Sequence, residues 1–316
     1  MIKNFRIENI DNGESMSFGQ TTPSECLYKD DGVDWGNAPA THSTFSYPSQ
    51  LGEYISSTTV RGRNISIVGF IYYLPTEEER SSMDSSQLME YCQAQMMKKK
   101  GLLNSIINPM QRVRIHIGDY YIEGKPEKSI VYGNNVSSNN EYFCSFLISI
   151  FCNNPMFRKY TLPTTVLNGV EGKFHFPLIF PKNEGIIFAV RSSYKLIALE
   201  NEGNVPTGCI IQIKSNGVVK NPTITNVNTG EFITINKTLS AGEIIEINTN
   251  DGNEKGVKGY IDDEELNYFM YWDFQNTWLK FPIGTSLVGY SLEEGDTSQI
   301  EISITLNPLK YALEDM

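Results

Sequence analysis

The sharpest alternation of apolar and polar positions lies between Asn201 and Gly252. Short runs from Cys209 to Ile213, Glu231 to Ile235 and Ile244 to Ile247 alternate inward isoleucine with outward polar residues, the period of a half-buried strand. Between them stand Asn221-Pro222, Asn226, Asn228-Thr229-Gly230, Ala241-Gly242-Glu243 and Asn248-Thr249-Asn250-Asp251-Gly252. Glycine takes positive φ without steric cost, and Asn and Asp tolerate it while bonding their own backbone, so these clusters predict tight reversals. Strand, turn, strand, turn, strand in this order predicts an antiparallel β-sandwich.

Upstream the pattern changes. Residues from Met1 to about Tyr54 carry repeated turn signals, Asn12-Gly13, Pro23, Asp31-Gly32, Trp35-Gly36 and Pro48, and read as irregular chain ordered by lying against something else. Asn64 to Tyr73 is a strand whose second half is apolar on both faces, the mark of a central position. One helix follows. Asp84 and Gln87 form its capping box, Leu88, Tyr91, Cys92 and Met96 share a face, and Lys98, Lys99 and Lys100 before Gly101 mark its expected end. The lysines read as complementing the negative helix end in preference to forming an anion patch.

Val113, Ile115 and Ile117 then alternate with Arg112, Arg114 and His116, turn at Gly118-Asp119 and return at Tyr120 to Ile122. A second pair brackets a polar loop, Gly133 to Asn140, and its outgoing strand runs from Tyr142 to Cys152. Alternation fades between Met156 and Gly172. The expected organisation is therefore a first α+β domain over residues 1–158, a linker over 159–172 and a β-sandwich over 173–316.

Composition narrows the function classes. The 316 residues carry a net charge of −11. Nucleic-acid readers cluster Lys and Arg to release counterions, so specific DNA binding is not expected, whereas an acidic wall suits a passage through which DNA slides. Five scattered cysteines without CxxC spacing read as buried thiols made in a reducing compartment. The start has no apolar core of signal-peptide length, and no apolar run is long enough for a membrane helix.

The order of turns also resembles a known family. Asn201-Glu202-Gly203-Asn204-Val205-Pro206-Thr207, then Asn221-Pro222-Thr223-Ile224-Thr225-Asn226 with Thr229-Gly230, then Gly242 and Gly252, is similar to the C-terminal domain of the distal tail proteins of long-tailed bacteriophages. Trp278-Leu279-Lys280-Phe281-Pro282-Ile283-Gly284 resembles that family's turn before its last strands, with an Ile inserted between Pro282 and Gly284, and Lys173 to Phe180 resembles its lead-in strand. The resemblance implies a galectin-like sandwich and a ring-forming first domain that assembles as a hexamer. It further implies a virion tail-tip location, with tail tube protein, a baseplate hub or tail-associated protein and receptor-binding proteins as partners.

Chemistry is sparse. His42, His116 and His175 stand far apart, no nucleophile-elbow glycines frame a Ser or Cys, and His116 on the polar side of its strand is expected in solvent. The acidic groups Glu77-Glu78-Glu79, Asp262 to Glu265 and Glu293-Glu294 with Asp296 read as solvated turns. Asn248 to Glu254 lacks the glycine register of a calcium loop, and no nucleotide motif is present. The expectation is no enzyme, no cofactor and no metal. Aromatics from Asn267 to Trp278, read as a strand, put Tyr268, Met270, Trp272 and Phe274 on one face and Phe269, Tyr271 and Asp273 on the other, one set core and the opposite set open; Tyr271, Trp272 or Trp278 are the candidates for partner contact or for a second function, recognition of cell-wall carbohydrate.

Overall fold

The computed structural model describes residues 4–48, 51–134, 139, 142–160, 162, 164–172, 189–193, 196–252, 255–262 and 264–313. The chain divides into two compact units, Met1–Tyr160 with Lys310–Met316, and Thr161–Leu309.

In the first unit one large sheet runs through Phe157–Lys159, Tyr120–Pro126, Val113–Ile117, Asn4–Asn9, Ser15–Gly19, Cys26–Asp34, Arg63–Tyr72, Phe143–Cys152 and Val131–Tyr132. Ile150 and Phe151 also pair with Pro126 and Lys125, so the sheet closes on itself. Arg63–Tyr72 is central, as its two apolar faces predict, with Cys26–Asp34 on one side and Phe143–Cys152 on the other. The first 54 residues, expected to be irregular, supply four strands instead. The first two strands are only six and five residues long, and Gly13 at φ +76° turns that pair, so turn signals mask the alternation. Order comes from distant partners: Ile7 lies opposite Ile115, and Phe5, Ile7, Met16 and Phe18 are buried in the core.

Two helices interrupt the sheet. The first, α1, Glu77–Ser82, stands where the run of glutamates predicts a solvated turn. Thr76 and Glu79 cap it reciprocally, and Glu79 also accepts hydrogen bonds from the Tyr73 and Tyr91 hydroxyls at 2.9 Å. The second, α2, Ser85–Ile106, begins as predicted at the Asp84/Gln87 box but runs past Gly101. A helical glycine costs about 1 kcal/mol relative to alanine, less than the burial of Leu103 and Ile106 returns. Lys98 to Lys100 consequently sit mid-helix, where the Lys99 ammonium donates to the Tyr72 carbonyl at 2.7 Å and lies over that ring. The buried Asn9 amide closes the true helix end, donating to the carbonyls of Ser105 and Ile106.

The second unit is an antiparallel sandwich. Its larger sheet runs Ala189–Ser193, Thr164–Gly172, Ile300–Leu306, Cys209–Ser215, Ile244–Asn248, Gly256–Ile261 and Glu264–Asn267. The smaller runs Leu196–Asn201, Gly284–Ser291, Thr223–Asn226 and Phe232–Thr234. Ile211, Ile213, Ile245, Ile247, Ile302 and Ile304 of the first share a core with Leu199, Ile224, Ile233 and Val288 of the second. The mainly β class, an α+β first unit and a sandwich second, is the one the sequence implies. Thr164–Gly172 is a strand inside the stretch read as linker, and a register shift between Val166 and Asn168 conceals its period. Lys310 onward groups with the first unit, where Arg63 donates to the Tyr311 carbonyl at 2.5 Å. Lys173 to Phe180, with His175, lies outside the described residues, as does most of the loop from Gly133 to Asn140. All five cysteines are free and buried.

Gly101 is exposed, and a Cβ there meets nothing within 4 Å. Gly101→Ala is expected to stabilise the protein by about 0.5–1 kcal/mol, read as a higher midpoint in thermal or urea unfolding. A helix ending at Gly101 would give the opposite sign.

Candidate functional site

The turn residues converge on the sandwich. Asn201 is buried; its amide donates to the carbonyls of Val205 and Phe281 at 2.9 and 3.0 Å, and its oxygen accepts the Gly203 amide at 2.9 Å. Thr207 and Phe281 exchange backbone hydrogen bonds, tying the segment with exposed Pro206 to the one with exposed Pro282. Gly203 passes so close to Leu309 that a Cβ would lie 2.8 Å from its backbone. Asn221 adopts φ +48° before buried Pro222, and Gly230, Gly242, Gly252 and Gly284 all have positive φ. Asn226 accepts from the Asn228 amide at 3.1 Å, and the Thr229 hydroxyl donates to Glu231 at 3.0 Å.

The aromatic segment differs from its expected strand. Regular pairing ends at Asn267, whose side chain accepts the Phe269 amide at 2.9 Å and starts a tight turn over Phe269–Tyr271. Tyr268 therefore points into the core while Met270 and Phe274 stand in solvent. Trp272 and Trp278 stack with centroids 4.3 Å apart, and Phe269 lies nearly parallel to both at 6.1 and 6.3 Å. Tyr271 does not join them; it meets Tyr268 edge-on at 5.2 Å and packs under Lys237.

Beneath this turn is a buried ion pair that the sequence did not reveal. The Glu243 carboxylate accepts from Lys237 at 2.5 Å, the Tyr268 hydroxyl at 2.6 Å and the Ser240 amide at 3.0 Å. Burial pushes the Glu243 carboxyl up, but those three donors outweigh it and hold it below the usual glutamate range. Its one signal was a Gly-Glu turn six residues after a lysine, which resembles any solvated turn.

Other charged groups resolve into pairs. Glu293 and Glu294 hold Lys220 at 2.7 and 3.1 Å, Glu265 holds Lys258 at 3.0 Å, and Asp251 holds Lys280 at 2.7 Å. Asp263, Asn253 and Glu254 lie outside the described residues. His116, expected in solvent, is largely covered: its Nε2 meets Glu8 at 2.6 Å and the Tyr160 hydroxyl meets Nδ1. Burial and the nearby Arg6 guanidinium lower its pKa. A hollow of about 490 Å³ opens beside Trp35 and Arg63, with Asp34 at its wall bonded to the Gly36 amide. Among the described residues no three His, Cys, Asp or Glu gather to hold a metal.

The first unit presents a separate feature. Ala40–Phe45 and Tyr54–Val60 form a two-stranded ribbon joined to no other sheet. Its described residues are exposed except Val60, and Phe45, Tyr47 and Tyr54 pack together near its tip at 5.4 to 6.4 Å. Glu53 is the sole fixed charge between residues 40 and 60.

A closed sheet with two helices in one unit and a turn-pinned antiparallel sandwich in the other define a mainly β protein of two compact units. Comparison gives that class a family context. Residues 202–305 match the family model of the siphovirus-type tail component, C-terminal domain. Among solved structures the chain is similar to the Dit protein of phage SPP1, described as a paradigm of the hub adsorption apparatus in phages infecting Gram-positive bacteria. Identity is 10%, with 96% of this chain and 98% of that one covered, at a TM-score of 0.60, a likeness of fold. A chain of the phage P2 baseplate in its activated conformation with Ca aligns at 14% identity over 96% and 98% of the two chains, with a TM-score of 0.44. No curated protein matches. The resemblance to distal tail proteins thus rests on the family match in the second unit and on the fold of the whole chain.

Two substitutions probe the sandwich end. Asn201→Ala removes the three bonds that pin its turn and is expected to cost about 2–3 kcal/mol in denaturant unfolding. Glu243→Gln leaves Lys237 buried without its counter-charge and is expected to destabilise by about 3 kcal/mol near neutral pH. Because the folded glutamate titrates below its unfolded value, its contribution is complete above the ordinary glutamate range and is lost as pH falls through the lowered value. The wild-type advantage over Glu243→Gln therefore narrows in acid, as urea unfolding at several pH values will show.

Proposed function

We propose that this chain is a structural component of the tail tip of a long-tailed phage or prophage. Copies of it close into a ring, a hexamer by family resemblance, that joins tail tube to baseplate hub. The second unit serves as docking platform for receptor-binding proteins, and DNA passes through without specific contact. The observation that carries this reading is the match of residues 202–305 to the tail-component family, on a chain of which 96% aligns with SPP1 Dit as a likeness of fold.

Physical features of the first unit support the assembly. A two-stranded ribbon is marginally stable by itself in water, and this one is long, nearly uncharged and tipped with three aromatics. Such an arm is stabilised by lying on another surface, and head-to-tail contacts between identical copies close into rings when the rotation allows. The net charge of −11 suits a conduit that repels DNA from its wall. No enzymatic step or cofactor belongs to this reading, and synthesis takes place in the bacterial cytoplasm.

Negative-stain electron microscopy of the concentrated protein, alone and with its neighbouring tail proteins, is expected to show annular particles. Replacing residues 40–60 with a short Gly-Ser linker is expected to abolish the rings while leaving the sandwich folded by circular dichroism. Strict monomers in every mixture would overturn the proposal.

A further inference from the structure

Outside its core the large sheet of the first unit has two unlike halves. Across Asn4–Asn9, Val113–Ile117 and Tyr120–Pro126 the outward positions are charged and paired, Arg6 and His116 with Glu8, and Arg114 with Glu123. Across Arg63–Tyr72 and Phe143–Cys152 the outward positions carry no charge. From Asn64 to Tyr72 and from Phe143 to Phe151 they are apolar residues, serines and one asparagine. Val68 stands at the centre of this half, with Leu147 and then Val131 beside it across the strands. Val68 is 53% exposed, Val131 48% and Phe151 43%. Strands apolar on both faces belong to sheets that are covered on both sides. Ile65, Ile67 and Ile71 fill the core side of Arg63–Tyr72, while Val68 leaves the other side open.

The same unit carries a second open surface of the same kind. At the ribbon tip Phe45 and Tyr54 lie directly opposite one another and stack at 5.6 Å, and Ile55 beside them is 61% exposed. The ribbon does not lie on its own sheet, since all its described residues but Val60 are exposed. Two different patches of one chain that suit each other make a heterologous contact, which only another copy can complete. Dimensions agree: at about 3.3 Å per residue the ribbon strands reach about 23 Å, and the outward positions from Asn64 to Tyr72 about 26 Å. A charged partner is disfavoured, because a charge buried against either surface loses its hydration without a counter-charge. Strand addition to this half is disfavoured too: its outer strand, Val131–Tyr132, has two residues, and the sheet closes on itself at Ile150 and Phe151. What a visitor meets is a face.

We propose that the ribbon of one copy lies on the outer face of Arg63–Tyr72 and Phe143–Cys152 of the next, with Phe45 and Tyr54 covering Val68, Leu147 and Val131. This rests on the ring assembly proposed above and names the two surfaces that make it. A ribbon about 23 Å long and two strands wide covers on the order of 300 Å² a side, well under the roughly 800 Å² per partner of a standard interface. One such contact is weak. A closed ring, in which every copy both gives a ribbon and receives one, is held by the return contact that an open pair lacks.

Benzoylphenylalanine placed at position 45 of the full chain and photolysed at ring-forming concentration tests the acceptor face. In a mixture of isotope-labelled and unlabelled chains, mass spectrometry is expected to find links between copies that end within residues 64–72, 131–132 or 143–151. Val68→Lys, at an exposed position, is expected to keep the wild-type melting temperature and raise the concentration for half-assembly about tenfold. Tyr54→Lys, on a ribbon joined to no other sheet, is expected to do the same. Mixed together, the two variants keep one intact contact, the ribbon of the first on the face of the second, and are expected to form dimers that do not grow. Val131→Lys, on the short outer strand, probes the same face if Val68→Lys unfolds. Rings that form unchanged in the lysine variants, or links that end on another ribbon, on the sandwich or within one chain, overturn the acceptor face and leave the ring standing. Absence of any assembly by the wild-type chain, alone and with its neighbouring tail proteins, overturns both.

Discussion

Short strands can bury isoleucine only if the chain reverses between them without stranding backbone amides, and here buried asparagines meet that condition. Asn9, Asn201, Asn226 and Asn248 are each the last residue of a strand, and each is buried. In every case the side-chain oxygen accepts an amide two residues on, from Asp11, Gly203, Asn228 or Asn250. A buried amide that is left unbonded costs 1–3 kcal/mol by the usual order of magnitude, roughly what one buried isoleucine returns. Strand ending and core burial are therefore one constraint, and the turn residues are as structural as the core.

Two of these asparagines do more than end a strand. Asn9 turns its NH₂ toward α2 and closes the helix carbonyls, so one side chain sets both the strand end and the helix end. Asn201 links its strand end to Phe281, eighty positions away, and so sets the approach to the last strands of the sandwich. The aromatic turn is fixed in the same way: Asn267 and Asp273 bracket it with their own backbone bonds, and Glu243 holds Tyr268 from below.

Much of this was legible. Gly and Asn at turns, the period of the isoleucine runs and the capping box at Asp84 are local codes, and the fold class follows from them. The first 54 residues were not legible, because short strands separated by turns show little period of their own, and the first takes its order from Val113–Ile117, about a hundred residues away. The end of α2 was hidden by Gly101, since local propensity says stop while Leu103 and Ile106 say continue. The aromatic segment alternates like a strand but folds as a tight turn over Phe269–Tyr271. Alternation cannot foresee a side chain such as Asn267 capturing its own backbone, so Phe269, placed with Tyr271 by alternation, stacks instead with Trp272 and Trp278 while Tyr271 packs against Tyr268.

The ribbon at Ala40–Val60 carries a consequence for the isolated subunit. Each of its strands has one side bonded to the other and one row of amides and carbonyls facing water. Those rows are set among threonines, serines and rings with almost no charge, the composition of an unguarded strand edge. By the physics of open strand edges, this ribbon is the part of the chain most open to pairing with a further extended strand.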